Sequence, residues 1–294
     1  MKLEYRTVTR RLFAAVVTFL SVSALANQAA AQEFLFFASD IHDKKSDLLN
    51  HIETQCYTAE YGNRCEVVGL VGDFNSQDPT QFNSTPQDTN QLSLDIYMRV
   101  NWQLNNLVYS QGNHDESNEA FSSAGANTTG PVPLFDNEFY DIYRINSADF
   151  TTACPALQAH LATVTNKMLF VMSHYPLHSN RSDIDQGASD CIFSALSDAA
   201  GRGQDITFLW GHNHFRDGRP DYDSNVRMIA VPGQTIKIGS GSSYLNDNAG
   251  ASLNFSYVNA GYVKTGSSTL FMLHELWMMI IRNGVGAEAV WVNR

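Results

Sequence analysis

Five short apolar runs, each followed at once by a polar cluster, constrain this chain more than any other feature. The runs are Phe34–Ala38, Val67–Val71, Leu107–Ser110, Met168–Ser173 and Ile206–Trp210. Runs without polar alternation suit strands buried on both faces. Between them apolar residues recur at helical spacing. One such set is Leu48, Leu49 and Ile52, and a longer one is Leu92, Ile96, Val100 and Leu104. A third is Leu157, Leu161 and Val164, and a fourth is Ile192, Ala195, Leu196 and Ala199. Strand–helix alternation predicts an α/β domain with parallel pairing in at least part of its sheet. With 44% apolar residues the chain can bury a sizeable core.

The second half changes rhythm. Arg227–Val231, Thr235–Ile238, Phe255–Val258 and Gly261–Lys264 read as shorter strands separated by turns. Leu270–Ile281 reads as a final core strand or helix, and Ala287–Val292 as another strand. Glu116–Phe150 has no regular period and reads as a long insert. Gly239–Ala251 is a Gly/Ser/Asn-rich loop without the Lys-Ser/Thr ending of a phosphate-binding loop.

Met1–Ala31 has the layout of an export signal. Arg6, Arg10 and Arg11 precede the apolar Leu12–Leu25, and Ala29-Ala30-Ala31 offers small residues for cleavage before Gln32. The apolar run is shorter than the roughly 20 residues of a spanning helix, though an uncleaved anchor is the alternative. Thr9-Arg10-Arg11-Leu12-Phe13 resembles a twin-arginine signal, with the general export route as the other possibility. The expectation is residues 1–31 as signal, residues 32–294 as one domain, and a bacterial periplasmic or secreted location with no stable membrane span. Removing Lys2, Arg6, Arg10 and Arg11 against Glu4 takes the formal charge from −11 to about −14. No basic run survives to follow a phosphate backbone, which argues against duplex nucleic acid as a partner. Four cysteines in an exported chain favour two disulfides out of three possible pairings, Cys56–Cys65 with Cys154–Cys191 being preferred.

The polar clusters carry the chemistry. Phe34–Ala38 leads to Asp40-Ile41-His42, Val67–Val71 to Gly72-Asp73, and Leu107–Ser110 to Gly112-Asn113-His114-Asp115. Met168–Ser173 leads to His174, and Ile206–Trp210 to Gly211-His212-Asn213-His214. Sites of open α/β sheets form beyond the carboxyl ends of the strands, so these residues should meet at one edge. Residues two apart in extended chain share a side, so Asp40 and His42 can reach one cation. Glycine before Asp73, Asn113 and His212 allows close approach and unusual dihedrals. Carboxylate, amide and imidazole donors without thiolate suit Mn, Zn or Fe. Five of the nine histidines lie in these clusters, more than random scatter would place there.

In order and spacing, these five clusters resemble the motif set of calcineurin-like metallophosphoesterases, over about Phe34 to Val263. The resemblance implies a four-layer α/β sandwich of two mixed β-sheets flanked by helices. It implies two transition-metal ions, divalent or trivalent. Asp40, His42 and His214 would hold one, Asn113, His174 and His212 the other, with Asp73 bridging. The implied reaction is hydrolysis of a small phosphate mono- or diester by a metal-bridging hydroxide. His114 would face the phosphate and help the leaving group, with Asp115 orienting its imidazolium. Ser76 stands where purple acid phosphatases carry a tyrosine three residues after the bridging aspartate, which argues against a tyrosinate-bound iron. A catalytically inactive scaffold or binding protein is the alternative, but such a chain would show ligand substitutions, and none is evident. Metal storage gives His114 and Asp115 no purpose.

Other residues have plainer readings. His178 reads as solvent-facing, Arg181 as a surface residue with a phosphate contact as the sharper option. His51, His160 and His274 read as surface or core residues, and Phe135–Tyr143 as packing or as a roof over the pocket.

Overall fold

The computed structural model describes residues 33–42, 44–56, 65–73, 107–115, 129–132, 139–164, 167–213, 225–239, 244–263, 266–284 and 287–294. The expected export segment Met1–Ala31, the helix expected over Leu92–Leu104, and His214 lie outside these residues.

Two six-stranded sheets form the body. The first contains β1 (Glu33–Ala38), β2 (Val67–Val71), β3 (Leu107–Ser110), β10 (Ser268–Leu273), β11 (Trp277–Asn283) and β12 (Glu288–Asn293), in the order β12-β11-β10-β1-β2-β3. The second contains β4 (Gly130–Pro131), β5 (Tyr140–Ile145), β6 (Met168–Ser173), β7 (Asp205–Trp210), β8 (Ile229–Ala230) and β9 (Ser256–Asn259), in the order β4-β5-β6-β7-β9-β8. Both are mixed. β1, β2 and β3 pair in parallel, as do β5, β6, β7 and β9, while β10, β11 and β12 add antiparallel strands to the first sheet and β4 and β8 to the second. The described helices are α1 (Lys45–Cys56), α2 (Ala153–Leu161) and α3 (Gln186–Gly201).

Why the five runs lack polar alternation is visible in the layering. Along β1, Phe34, Phe36 and Ala38 pack with Leu48, Leu49 and Ile52 of α1, while Leu35 and Phe37 face the second sheet. Along β6, Leu169 and Val171 pack with α2 and α3, while Met168, Phe170 and Met172 face the first sheet. Each run thus lies between a helix layer and the other sheet, giving the α/β sandwich of four layers that the motif resemblance implies. Phe37, Phe170 and Phe271 meet at the centre between the sheets, with ring centroids 5.3–5.8 Å apart. Gly69 makes room for them, since a Cβ there would overlap the Phe37 ring.

Several expectations need correction. Glu116–Phe150 is not wholly an insert, because Tyr140–Ile145 is a fully buried strand inside the second sheet. Its sequence, YDIYRI, hides the strand because Asp141 and Arg144 are buried polar residues at positions that break an apolar run. Tyr140 and Tyr143 are therefore core residues and not a roof. Thr235–Ile238 pairs only through isolated bridges, Thr235 with Ser252 and Lys237 with Val226. Gly261–Val263, the described part of the expected Gly261–Lys264 strand, forms no strand; Gly261 is at φ 119° and Gly266 N donates to Val263 O. Leu270–Ile281 spans parts of two strands, β10 and β11, and His274 and Glu275 lie in the turn between them.

Disulfides join Cys56 to Cys65 and Cys154 to Cys191, the preferred pairing. The first ties the end of α1 to the approach to β2; the second ties α2 to α3. Two disulfides accord with an oxidising compartment. No helix among the described residues is long and apolar enough to cross a membrane. The bridges close loops of different length, with sequence separations of 9 and 37. Loop-closure entropy then predicts a loss of about 3 kcal/mol for the Cys56→Ser/Cys65→Ser pair and about 4 kcal/mol for Cys154→Ser/Cys191→Ser. Chemical denaturation checks both the sizes and their order.

Candidate metal centre

The carboxyl ends of β1, β2 and β3 in one sheet meet those of β6 and β7 in the other. The edge that the sequence pointed to is thus a seam between two sheets. Backbone hydrogen bonds fasten the first two loops together: Asp40 N donates to Gly72 O (3.0 Å), and Ile41 N and His42 N both donate to Asp73 O (2.9 and 3.0 Å). Across the seam, His212 N donates to Asp40 Oδ2 (3.1 Å), and His174 Nδ1 lies 3.0 Å from Val71 O.

Among the described residues, the non-glycine positions with positive φ are Asp40 (53°), His42 (49°), Asp73 (56°) and His212 (67°). All four are proposed ligands. L-residues adopt this region at a cost, and it tends to persist where a site demands it. The neighbouring glycines serve close approach. A Cβ on Gly112 would overlap Asp73 Oδ1 and N, and one on Gly211 would overlap Ser39 Oγ and come within 2.9 Å of Asp40 Oδ2.

Asp73 is at the centre, 1% exposed. Its Oδ2 lies 3.1 Å from His174 Nε2, 3.9 Å from His42 Nε2 and 4.0 Å from His114 Nε2. Its Oδ1 accepts from His114 N (3.1 Å). Asn113 Oδ1 is 2.9 Å from His212 Nδ1 and 3.2 Å from His174 Nε2, and those two nitrogens are 3.2 Å apart. Two groups of donors able to hold a cation result: Asp73, His174 and His212, and Asp40, His42 and Asp73, the donor atoms of each lying within 4.8 Å of one another. Asp73 is common to both. Asn113 joins the first group. His214 lies outside the described residues, so the second group is described without it.

The donor chemistry of the first group fits a metal ion. His174 Nδ1 faces the Val71 carbonyl and so carries the proton, turning a lone pair at Nε2 toward the cluster. His212 Nε2 lies 3.0 Å from Asp183 Oδ2, which likewise leaves the lone pair at Nδ1. With Asn113 Oδ1 and Asp73 Oδ2, four acceptor atoms face one another with no donor between them. The three close pairs among Asn113, His174 and His212, at 2.9–3.2 Å, match the edges of a coordination shell with bonds of about 2.0–2.2 Å, roughly 2.9–3.6 Å.

The electrostatics make the same demand for positive charge. Burial disfavours ionised Asp73, but His174, His114 and His42 outweigh it and hold the carboxyl well below the ordinary range. Burial by itself lowers His174, yet the Asp73 and Asp40 carboxylates push it up to about 9. His212 is lowered, chiefly by burial.

His114 is at the open side of the cluster, its side chain 31% exposed, with its ring 5.4 Å from that of His42. Asp115, the next residue, is fully buried. One oxygen, Oδ2, accepts from both Asp73 N (2.8 Å) and Gly112 N (2.9 Å). Asp115 thereby fixes the spacing of the β2 and β3 loops.

Two site-related residues escaped the sequence reading. Ser39 Oγ lies 2.5 Å from Asp40 Oδ2 and 2.8 Å from Val71 O; nothing in a serine at the end of an apolar run signals this. Asp183 touches His212, and Arg181 grips Asp183 through Nε and Nη2 (3.0 and 2.8 Å). Hydrogen bonding from His212 and then from Arg181 holds the Asp183 carboxyl well below its usual range. Arg181 is therefore partnered by Asp183. His178, expected in solvent, is fully buried, with Nδ1 2.8 Å from Tyr257 Oη and its ring against Trp210. Five residues after the end of β6, the polar ring is thus buried with a hydroxyl as its partner.

No family model matches this chain, and no curated protein matches it. Solved structures similar to it include a conserved uncharacterized protein from Streptococcus pneumoniae described as a predicted phosphoesterase. That protein is 11% identical, with 90% of this chain and 100% of that chain covered and a TM-score of 0.40. Vacuolar protein sorting 29 from Cryptosporidium parvum is 10% identical, with 90% and 99% covered and a TM-score of 0.42. NAD nucleotidase from Haemophilus influenzae is 12% identical, with 90% of this chain but 50% of that chain covered and a TM-score of 0.36. The functional reading rests on the residues themselves.

The close approach at Gly112 makes a direct forecast. Gly112→Ala drives a methyl group into Asp73, and overpacking of this kind costs about 1–3 kcal/mol. Denaturation of the chelated protein should show that loss, and metal analysis should show fewer bound ions than in the wild type.

Proposed function

We propose that this chain is a metal-dependent phosphoester hydrolase with two metal ions that share Asp73. The observation that carries the reading is the pair of donor groups with one carboxylate in common, faced by a histidine that is part of neither. Asp40 and His42 hold one ion, joined by His214 as the motif resemblance implies. Asn113, His174 and His212 hold the other. Mn, Zn or Fe suits this mixture of oxygen and nitrogen donors. Ions bound at these residues would lower the pKa of a water that serves as nucleophile and would polarise the phosphoryl oxygens.

The remaining work belongs to the chain's own groups. His114 Nε2, on the open side, gives a proton to the departing ester oxygen. Its backbone N–H to Asp73 fixes where its ring begins. Asp115 supports the same step by holding the loops of Asp73 and Gly112 in register. Burial of Asp73, Asp40 and His174 excludes water from behind the site, so that charge on the ligands acts on substrate in a low dielectric. The substrate is a small phosphate mono- or diester, and export to a periplasmic or extracellular space accords with the two disulfides.

Hydrolysis of p-nitrophenyl phosphate and of bis-p-nitrophenyl phosphate, by chelated protein given back Mn, Zn or Fe, tests the reading. Metal-dependent release is expected, and the preferred compound separates monoesterase from diesterase. His114→Ala should keep its metal content near normal and lose about 10²–10⁴-fold in turnover. Two ions bound without turnover on either compound would favour the non-catalytic alternative. Loss of metal and turnover together in His114→Ala would overturn the division of roles.

A further inference from the structure

We propose that Asp183, steadied by Arg181, is a positioning residue that sets the tautomer of His212 and so tunes one metal position separately from the other. The inference deepens the metal-binding reading above and rests on it.

A carboxylate only accepts, so the 3.0 Å contact between Asp183 Oδ2 and His212 Nε2 requires the imidazole proton at Nε2. Nδ1 then presents its lone pair to the cluster, where Asn113 Oδ1 lies 2.9 Å away and His174 Nε2 3.2 Å away. The opposite tautomer would point an N–H into the space where a cation must sit. A carboxylate behind a ligating imidazole also raises its basicity, and removing such a group typically costs 10–100-fold in metal affinity.

Asp183 can do this because its own position is fixed. Arg181 grips both of its oxygens in a planar fork, Nε on Oδ1 and Nη2 on Oδ2. The loop that carries the pair is pinned along its length. Ile184 is buried in the core, and its N–H donates to Arg181 O (3.1 Å). Asp185 caps α3 by accepting from Ala188 N (2.7 Å), and Gln186 Nε2 donates to Ser179 O (2.8 Å). On its other side the His212 ring meets Tyr175 edge to face, centroids 4.9 Å apart. The imidazole is thus held by packing and by one charged hydrogen bond.

His174 offers the contrast. Its outer nitrogen faces a main-chain carbonyl, Val71 O, which no substitution at Val71 removes. Asp183 is a side chain on the loop after His174, 38% exposed, and can be changed without opening the core. Both histidines belong to the donor group with Asp73 and Asn113, and neither belongs to the group with Asp40 and His42. The effect of Asp183 should therefore fall on one ion.

Calorimetric titration of chelated wild type and Asp183→Asn with Zn or Mn tests this. The wild type should take up two ions. The variant should bind one with unchanged affinity and the other 10–100-fold more weakly, with the melting temperature of the chelated protein unchanged. Arg181→Ala should weaken the same ion to a lesser degree. Equal affinities in a folded Asp183→Asn would overturn the proposal. So would weakening of both ions together with a lower melting temperature of the chelated protein, which marks a merely structural loop contact. Nitrogen-15 shifts of the His212 ring in the chelated protein give a readout independent of metal. A shift from the Nε2–H form in wild type toward a mixture in the variant supports the proposal, and no shift contradicts it. If the wild type takes up no ion, the hydrolase reading falls, and the ring shifts still decide the role of Asp183.

Discussion

The Asp73 carboxylate is almost completely removed from water, and the carboxyl ends of both sheets are organised around that fact. An isolated buried carboxylate costs several kcal/mol, so every polar atom near it has to contribute. Its Oδ1 takes an N–H from the β3 loop, its own N–H goes to Asp115, and its carbonyl takes two N–H groups from the β1 loop. Those bonds consume the backbone groups that would otherwise end unpaired at three strand ends. What they do not supply is positive charge at Oδ2. That is left to His174 and, in the proposed working state, to metal ions. A buried anion with its backbone fully satisfied and one oxygen turned to a cluster of acceptors is poorly suited to a merely structural role.

The same economy accounts for the backbone. Left-handed conformations at Asp40, His42, Asp73 and His212 cost about 1–3 kcal/mol each where no local gain offsets them. Each of these residues is held by hydrogen bonds on its own peptide groups or by a contact that crosses the seam. The conformation turns the side chains at the strand ends toward one another instead of letting them continue to alternate about the sheet. Glycine would relieve the strain but would carry no ligand. The neighbouring glycines, Gly72, Gly112 and Gly211, give up side chains so that the strained residues can approach.

Much of this was legible in the sequence, for a reason visible in the packing. The five runs match five strands because a strand between a helix layer and a second sheet has no face on which to place a polar residue. The clusters after them were legible because His, Asp and Asn seldom follow buried strands repeatedly without purpose. β5 was not legible, since Asp141 and Arg144 are buried there and break the pattern that identifies its neighbours. Asp183 was not legible either. Its contact with His212 spans 29 positions of sequence and depends on a loop conformation that no local pattern encodes. His178 is the converse case: a polar residue in a polar loop has the pattern of an exposed one, yet Tyr257 Oη satisfies it inside the core.

The division of labour between the sheets has a consequence for how the site is held. The first sheet brings the carboxylates Asp40 and Asp73 together with His42 and Asn113, and the second brings His174 and His212. Neither sheet alone assembles the four acceptors that face one another. Their spacing is set by the apolar layer between the sheets, where Phe37, Phe170 and Phe271 lock against each other directly behind the seam. Core packing of this kind tolerates little sliding, because a void or an overlap costs contacts on every side. The Cys154–Cys191 bridge and the α2–α3 layer stiffen the second sheet from outside, and α1 does the same for the first. A cation bound at the seam would hold the two sheets together as strongly as it prefers the folded chain to the unfolded one. Stability and function then draw on the same contacts, and the buried Asp73 carboxylate is where a metal ion would offset a cost of burial.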